Sequence, residues 1–331
     1  MLIIGREQVR QALDGADEEV VQAVRAAYER HERGGTAVPH SVFLRFPDDD
    51  RNRIIALPAY LGGDDSGDDA VAGIKWISSF PGNVAAGRPR ASAVMILNSM
   101  RTGAPEALLE AATISARRTA ASAALAAATL AADVPDAGVT LVGCGVINDE
   151  VLRLLRTTLP GLSAVTVFDL DPRRAHAFAA ECTARHRDLK VDVAPGIEAA
   201  LGAHRLVSLA TTASTPHLDD RHCRPGSLLL HLSLRDLTPQ TVLTSTNIVD
   251  DADHVCRAST SLHLAEQEVG SRDFIAASLG ALLVGGEPYR RDETGLTVFS
   301  PFGLGILDLA VARLARRRAA ALGVGTEFTD F

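Results

Sequence analysis

The sequence predicts an α/β fold in two domains, and three observations carry that prediction. The first is size: 331 residues exceed the length at which a single core keeps growing. The second lies after Asp133, where apolar strand-like runs (VTLVGCG, VTVFDLD, VDV, LVSLATT, SLLLHLSLRD) alternate with helical patterns. That alternation marks βαβ units and a parallel sheet. The third is the contrast with the first hundred residues, which read as a small sheet with at least one helix.

Taken in order, Asp17 to Arg33 has helical spacing (Val20, Val21, Val24, Ala27, Tyr28) and ends at Gly34-Gly35, a C-cap signal. Val42–Phe46 and Ile54–Leu57 read as strands separated by the acidic turn PDDDRN, and GGDDSGDD (62–69) as a turn or loop. The stretch GIKWISSFPGN gives another strand, broken at Pro81-Gly82-Asn83, and Ala91–Asn98 one more. Residues 104–132 read as one alanine-rich helix, with a break near Thr113, passing from the first domain to the second. Near the end, PFGLGILDLAVARLARRRAAALG predicts an amphipathic helix whose basic end complements its dipole.

Composition removes several function classes. A formal net charge of −8 opposes the basic field that nucleic acid or an anionic membrane would require. Cys144, Cys182, Cys223 and Cys256 show no CxxC spacing, which suits free thiols in a reducing cytoplasm. MLIIGREQVR has no apolar stretch long enough for a signal peptide, and the run 119–132 is too short to span a bilayer. A soluble cytoplasmic protein is expected. His263 and Glu266 have the spacing of a metal pair but no third ligand, so no metal is expected. No GxSxG elbow or P-loop occurs.

VTLVGCGVIN carries a dinucleotide fingerprint. Gly143 permits a tight turn, Gly145 lets backbone approach a pyrophosphate, and the following helix offers its N-terminus. Asn148 stands where a third glycine belongs, so looser helix–strand packing is expected. One βα unit later, VTVFDLDPRR ends its strand with Asp169, a carboxylate placed to accept from an adenosine ribose. It would repel a 2′-phosphate, which favours NAD; Arg173 and Arg174 keep NADP open. The bland alternative is that these residues merely make turns.

Three charged segments lie beside apolar runs. Lys75 sits next to Trp76, either as a solvated edge lysine or as a cation held in a cleft. Arg117 and Arg118 in SARRTA point about 100° apart on a helix, so one is expected to face solvent and the other a cleft, as a carboxylate clamp. The alternative leaves both solvated. Asp236 in HLSLRD follows a strand, where open α/β sheets place ligands; it reads as a proton acceptor or donor, or as a solvated turn residue.

KWISSFPGN, ISARRTAASAALAA, GCGVIN, HLSLRDLTP and TVFSPFGLGILDLAVA, in this order, resemble the ornithine cyclodeaminase/μ-crystallin family end to end. RIIALPAYLGG and NIVDDADHVCRASTSLHLAEQ look most like its dehydrogenase branch of 2,3-diaminopropionate biosynthesis, which supplies siderophore and peptide-antibiotic pathways. The resemblance implies a Rossmann NAD-binding domain (116–300) inserted into an α+β substrate-binding and dimerisation domain (1–115 with 301–331), in a homodimer. It implies oxidation of N-(1-amino-1-carboxy-2-ethyl)-glutamate by NAD⁺, water then cleaving the imine to 2,3-diaminopropionate and 2-oxoglutarate. By the same resemblance Lys75 would bind a substrate carboxylate and polarise the reacting centre, and Arg118 would touch substrate and cofactor. Asp236 would shuttle the proton. Ser92, Val146, Ile147, Asp169, Thr211 and the Ser233–Leu234 backbone would contact the cofactor, and Phe302 would line the substrate pocket.

Two departures stand out. The family's arginine two residues after a proline is absent, since His40 and Ser41 follow Pro39; Arg45 is the candidate substitute. The family's glutamate in the first domain has become Ile55, which speaks against ornithine as substrate. Three substrate carboxylates would match Arg45, Lys75 and Arg118. Other activities of the family stay open: ornithine or lysine cyclodeaminase, ketimine reductase, amino acid dehydrogenase, or a μ-crystallin-like nucleotide-binding protein without turnover.

Overall fold

A computed structural model describes residues 1–63, 69–131, 137–286 and 289–329. It divides into two compact units: Met1–Arg118 with Gly303–Phe331, and Thr119–Phe302. The division falls two to three residues from the boundaries expected above.

The first unit contains an eight-stranded sheet. Its strands are β1 (Leu2–Ile4), β2 (Thr36–Ala37), β3 (Val42–Phe46), β4 (Asp49–Leu61), β5 (Val71–Ser79), β6 (Ala91–Asn98) and β7 (Pro105–Glu110), closed by the C-terminal Thr326–Glu327. Neighbours run in the order β1-β7-β6-β5-β4-β2, with β3 beside β4 and Thr326–Glu327 beside β1. Only β1 and β7 pair in parallel. The acidic turn contracts to Pro47–Asp48, because β4 already begins at Asp49.

Strand periodicity explains why Lys75 and Trp76 part company. Leu57, Lys75, Met95 and Leu109 form one row across β4, β5, β6 and β7, and all four are buried. Trp76 points to the opposite face, where Val42, Leu44 and Val94 are also exposed. The Gly305–Ala321 helix packs on the Lys75 face. Its approach is close: a Cβ on Gly305 would stand 3.0 Å from Ala59 Cβ, and one on Gly73 would stand 3.2 Å from Leu309 Cδ2. This helix is not amphipathic over its first turns. Every residue from Gly305 to Ala312 is buried, including Asp308, and arginines appear only from Arg313 onward.

The single helix expected over 104–132 is a strand followed by a helix. PEALLE forms β7, with Ala107 and Leu109 buried in alternation, and the helix spans Ala112–Leu130. Pairing with β1 and β6 outweighs the helical preference of Ala, Leu and Glu. Glu110 marks the switch, its carboxylate accepting from the backbone N–H groups of Ala112 and Thr113 at 3.1 Å. The expected end at Ala132 and residues 64–68 of the acidic loop lie outside the described residues.

The second unit holds an all-parallel sheet of eight strands: β8 (Gly138–Val142), β9 (Ala164–Phe168), β10 (Lys190–Val193), β11 (Leu206–Leu209), β12 (Leu228–His231), β13 (Thr246–Val249), β14 (Ile275–Ser278) and β15 (Thr297–Ser300). Their order is β10-β9-β8-β11-β12-β15-β13-β14. The inner strands β8, β11, β12, β15 and β13 are buried as doubly covered parallel strands require, whereas the edge strands β10 and β14 are partly exposed. Among the described residues no helix is long and apolar enough to cross a membrane.

Candidate active site

Each unit contains a buried polar cluster. In the first unit, Lys75 is 1% exposed and its ammonium donates to Asp308 Oδ2 at 2.7 Å and to Ser115 Oγ at 3.1 Å. Asp308 Oδ1 accepts from Arg118 Nε at 3.2 Å. One carboxylate, itself fully buried, therefore serves two cations. The guanidinium lies against Gly303, where a Cβ would fall 2.3 Å from one terminal nitrogen; at φ +96° only glycine is at ease there.

Donors outnumber acceptors in this cluster. Among the described residues the third N–H of Lys75 and the terminal N–H groups of Arg118 have no acceptor. The Arg118 side chain is 11% exposed, so its terminal N–H groups remain open to an incoming anion beside the buried ammonium. The choice of lysine is telling. Of 33 basic residues only Lys75 and Lys190 are lysines. Lysine can adjust its charge when buried, and arginine cannot. Burial lowers the Lys75 ammonium from 10.5 to about 8, Asp308 partly opposing and Arg118 adding to the lowering.

Both arginines of SARRTA turn inward, which corrects the expectation that one faces solvent. Arg117 is buried and pairs with Asp17 at 2.7 Å. Neighbouring helix positions diverge by about 100°, but this helix meets protein on nearly every side, so divergence does not bring exposure. Arg45 does not join Lys75. It is exposed on β3, its guanidinium 5.6 Å from the Phe43 ring centre, in the cross-strand row of Arg53 and Ser79. That row is four residues along β5 from Lys75, about 13 Å away. Ser92 is exposed on the Trp76 face, its hydroxyl 2.9 Å from that of Ser78.

In the second unit, Gly143 adopts φ +92° at the end of β8, and a Cβ there would meet Ala210 O at 2.5 Å. Gly145 faces open space and caps the Val146–Thr158 helix, whose first amides include those of Val146 and Ile147. Asp169 accepts from Cys144 N–H and from Asp171 N–H, both at 2.9 Å, and Arg174 stands 3.6 Å away. Burial pushes the Cys144 thiol up to about 12, which disfavours its thiolate.

Asn148 overturns the expectation of looser packing. Fully buried, its amide donates to the carbonyls of Val142 and Gly143 at 2.9 and 2.8 Å and accepts from Ser208 Oγ at 2.7 Å. The side chain fastens the glycine turn to β8 and β11, a tie that no glycine could make.

Asp236 is enclosed rather than solvated. Thr211 Oγ1 donates to one carboxylate oxygen and Ser233 Oγ to the other. His231 Nε2 stands 3.2 Å from the Asp236 backbone nitrogen and 3.3 Å from Oδ2, while its Nδ1 meets Ser300 Oγ at 3.2 Å. Burial alone would raise the carboxyl, but His231, Ser233 and Thr211 outweigh it and hold the group below the usual carboxylate range. Leu234 in the same loop takes φ +68°, a strained value for a branched side chain. Phe302 donates its N–H to Asp250 at 2.9 Å, its ring 6.4 Å from that of His254. His263 and Glu266 are engaged elsewhere, Glu266 with Arg272 at 2.6 Å.

Sequence reasoning overlooked Asp308, Ser115 and His231. A signal existed for the first: one acid inside the apolar turn GILDLAVA.

The family model described as Ornithine cyclodeaminase/mu-crystallin family matches residues 5–322. N-((2S)-2-amino-2-carboxyethyl)-L-glutamate dehydrogenase of Staphylococcus aureus is 27% identical over 333 residues, covering 98% of this chain and 97% of that protein. The structure of Thermococcus litoralis Δ(1)-pyrroline-2-carboxylate reductase with NADH and L-proline superposes with a TM-score of 0.90 at 26% identity, covering 99% of this chain and 100% of that one. An archaeal alanine dehydrogenase dimer with bound NAD gives 0.88 at 26% identity, covering 100% and 99%.

Proposed function

This chain belongs to the ornithine cyclodeaminase/μ-crystallin family, and from that premise we propose that it oxidatively cleaves N-(1-amino-1-carboxy-2-ethyl)-glutamate to L-2,3-diaminopropionate and 2-oxoglutarate. In coarser terms it is an NAD-dependent oxidoreductase acting on amino-acid-derived amines. The observation that carries the reading is the Lys75–Arg118–Asp308 cluster. Two cations against one carboxylate leave a net charge of +1 with unused N–H donors, the complement of one substrate carboxylate.

The second unit fits NAD. Gly143 and Gly145 clear the turn, the Val146–Thr158 helix presents its amides, and Asp169 stands at the end of β9 for a ribose. When bound, NAD⁺ supplies the hydride acceptor. We assign further cofactor contacts to Ser92, Arg118, Val146, Ile147, Thr211 and the Ser233–Leu234 backbone, and a pocket-lining role to Phe302. Lys75 and Arg118 fix the carboxylate beside the reacting carbon. Hydride leaves readily only when the amine nitrogen is neutral, so a base must take its proton. We assign that role to Asp236, reached through the hydroxyl of Thr211 or Ser233, since both residues are partly exposed while the carboxylate is not. Water then adds to the imine and the carbon–nitrogen bond breaks.

The apolar strip of Val42, Leu44, Trp76 and Val94 is offered for a second copy of the chain in a homodimer. A pathway to a siderophore or peptide antibiotic would consume the diamino acid. The test is incubation with NAD⁺ and candidate amines. NADH and 2-oxoglutarate are expected to appear together with the glutamate-derived secondary amine, and neither with ornithine, lysine or alanine. Ammonia from ornithine without net NADH would support cyclodeamination instead.

A further inference from the structure

Asp308 is the one buried acid of the cluster, and the proposed reaction gives it no direct part. It reaches Lys75 across 233 positions of sequence and Arg118 across 190. Nothing local places it there. The helix that carries it comes down on the sheet because Gly305, Ala59 and Gly73 leave no bulk between them. Asp308 then lies one turn inside that helix, over β5.

We propose that Asp308 is a positioning residue, clamping the Lys75 ammonium and the Arg118 guanidinium side by side so that they act as one receptor for a single carboxylate. The proposal rests on the reading above, in which that pair takes the substrate's carboxylate. Two facts favour it over an inert buried ion pair. First, Asp308 spends one oxygen on each cation, and each cation keeps donors that no described residue uses. An inert pair would be expected to satisfy itself. Second, the charge balance admits one anion: with Asp308 in place a first carboxylate neutralises the cluster, and a second would meet only repulsion.

Asp308 also sets when the receptor works. The groups facing Lys75 are Asp308 from the Gly305–Ala321 helix, Ser115 and Arg118 from the Ala112–Leu130 helix, and apolar Leu57 and Met95 from the flanking strands. Arg117 on the same helix turns to Asp17. Asp308 is thus the only acid facing the ammonium among the described residues. Burial and Arg118 both push Lys75 toward its neutral form, and Asp308 opposes them. Without the acid the lysine would lose its proton at a lower pH, and the receptor its charge.

The chain's composition makes this measurable. With lysines only at 75 and 190, protein labelled with carbon-13 at the lysine ε position gives two signals, that of exposed Lys190 serving as reference. Wild type and Asp308→Asn are titrated, and the pH dependence of kcat/KM for the secondary amine is followed in both. Lys75 is expected to titrate near 8 in wild type. In Asp308→Asn its titration and the alkaline fall of kcat/KM should move down together by at least about one pH unit, with KM up roughly tenfold. Unmoved titration and profile overturn the proposal, as does a Lys75 already neutral at pH 7 in wild type. Should Asp308→Asn not fold, Asp308→Glu keeps the charge and shifts it by one methylene. KM is then expected to rise at least about fivefold with kcat little changed, and a wild-type KM overturns the clamp. An inactive Lys75→Ala beside an unmoved Asp308→Asn removes this inference alone; a fully active Lys75→Ala removes the reading beneath it.

Discussion

In the first unit Asp308 serves two cations whose remaining donors find no acceptor among the described residues, whereas in the second unit Asp236 has a hydroxyl on each carboxylate oxygen and a histidine alongside. Both acids are fully buried. The difference lies in completeness. A buried network with every partner present holds a backbone in place; one with donors to spare holds itself ready for something else. The Asp236 network braces the loop that carries strained Leu234, while the Lys75 network has a charge and N–H groups left over.

Removing the spare donors should have the largest effect. Lys75→Ala and Arg118→Ala are each expected to cut kcat/KM for the secondary amine at least ~10²-fold while NAD binding, followed by fluorescence titration, is best preserved in Lys75→Ala. Wild-type kcat/KM in both variants would erase the contrast between the clusters.

Asp236→Asn sharpens the comparison from the other side. As proton acceptor its loss should lower kcat by about 10²-fold with the melting temperature little changed, because an amide can still accept from one hydroxyl. Near-normal kcat with a clear loss of stability, of the order of 1–3 kcal/mol, would make that cage purely structural.

Weaker binding of NAD by Asp169→Ala, about tenfold, is the next expected effect, measured by calorimetry. Unchanged affinity would leave Asp169 as a brace for the Cys144 and Asp171 amides alone.

The smallest effect is a pH dependence of stability. Lys75 has a folded value of about 8, below its unfolded 10.5, so between them the unfolded chain holds more protons and the lysine's contribution rises with pH. From pH 8 to 9 wild type should gain about 1 kcal/mol relative to Lys75→Met in urea unfolding. The thiols, raised by burial, act in the opposite sense above pH 9, but both proteins carry them. A flat difference would mean that the ammonium is not desolvated.

Features encoded in adjacent residues were legible in the sequence. The Gly143–Gly145 turn, Asp169 and the parallel alternation after Asp133 need only one strand and its next turn to be recognised. Lys75 and Arg118 were legible as charges out of place. What escaped notice depends on how distant elements pack. Asp308 acquires meaning only when a helix near the C-terminus lies on β5, and PEALLE became a strand only because β1 and β6 flank it. Arg117 turns inward because its helix meets protein on nearly every side. Asn148 looked like a missing glycine, and its amide proved the better tether.

Trp76, the chain's only tryptophan, lies back to back with Lys75 on β5 and is 43% exposed among Val42, Leu44 and Val94. Its fluorescence therefore comes from one known place. Blue-shifted emission at high concentration that reddens on dilution would report that face being covered and then bared, with no label attached and no active-site residue disturbed.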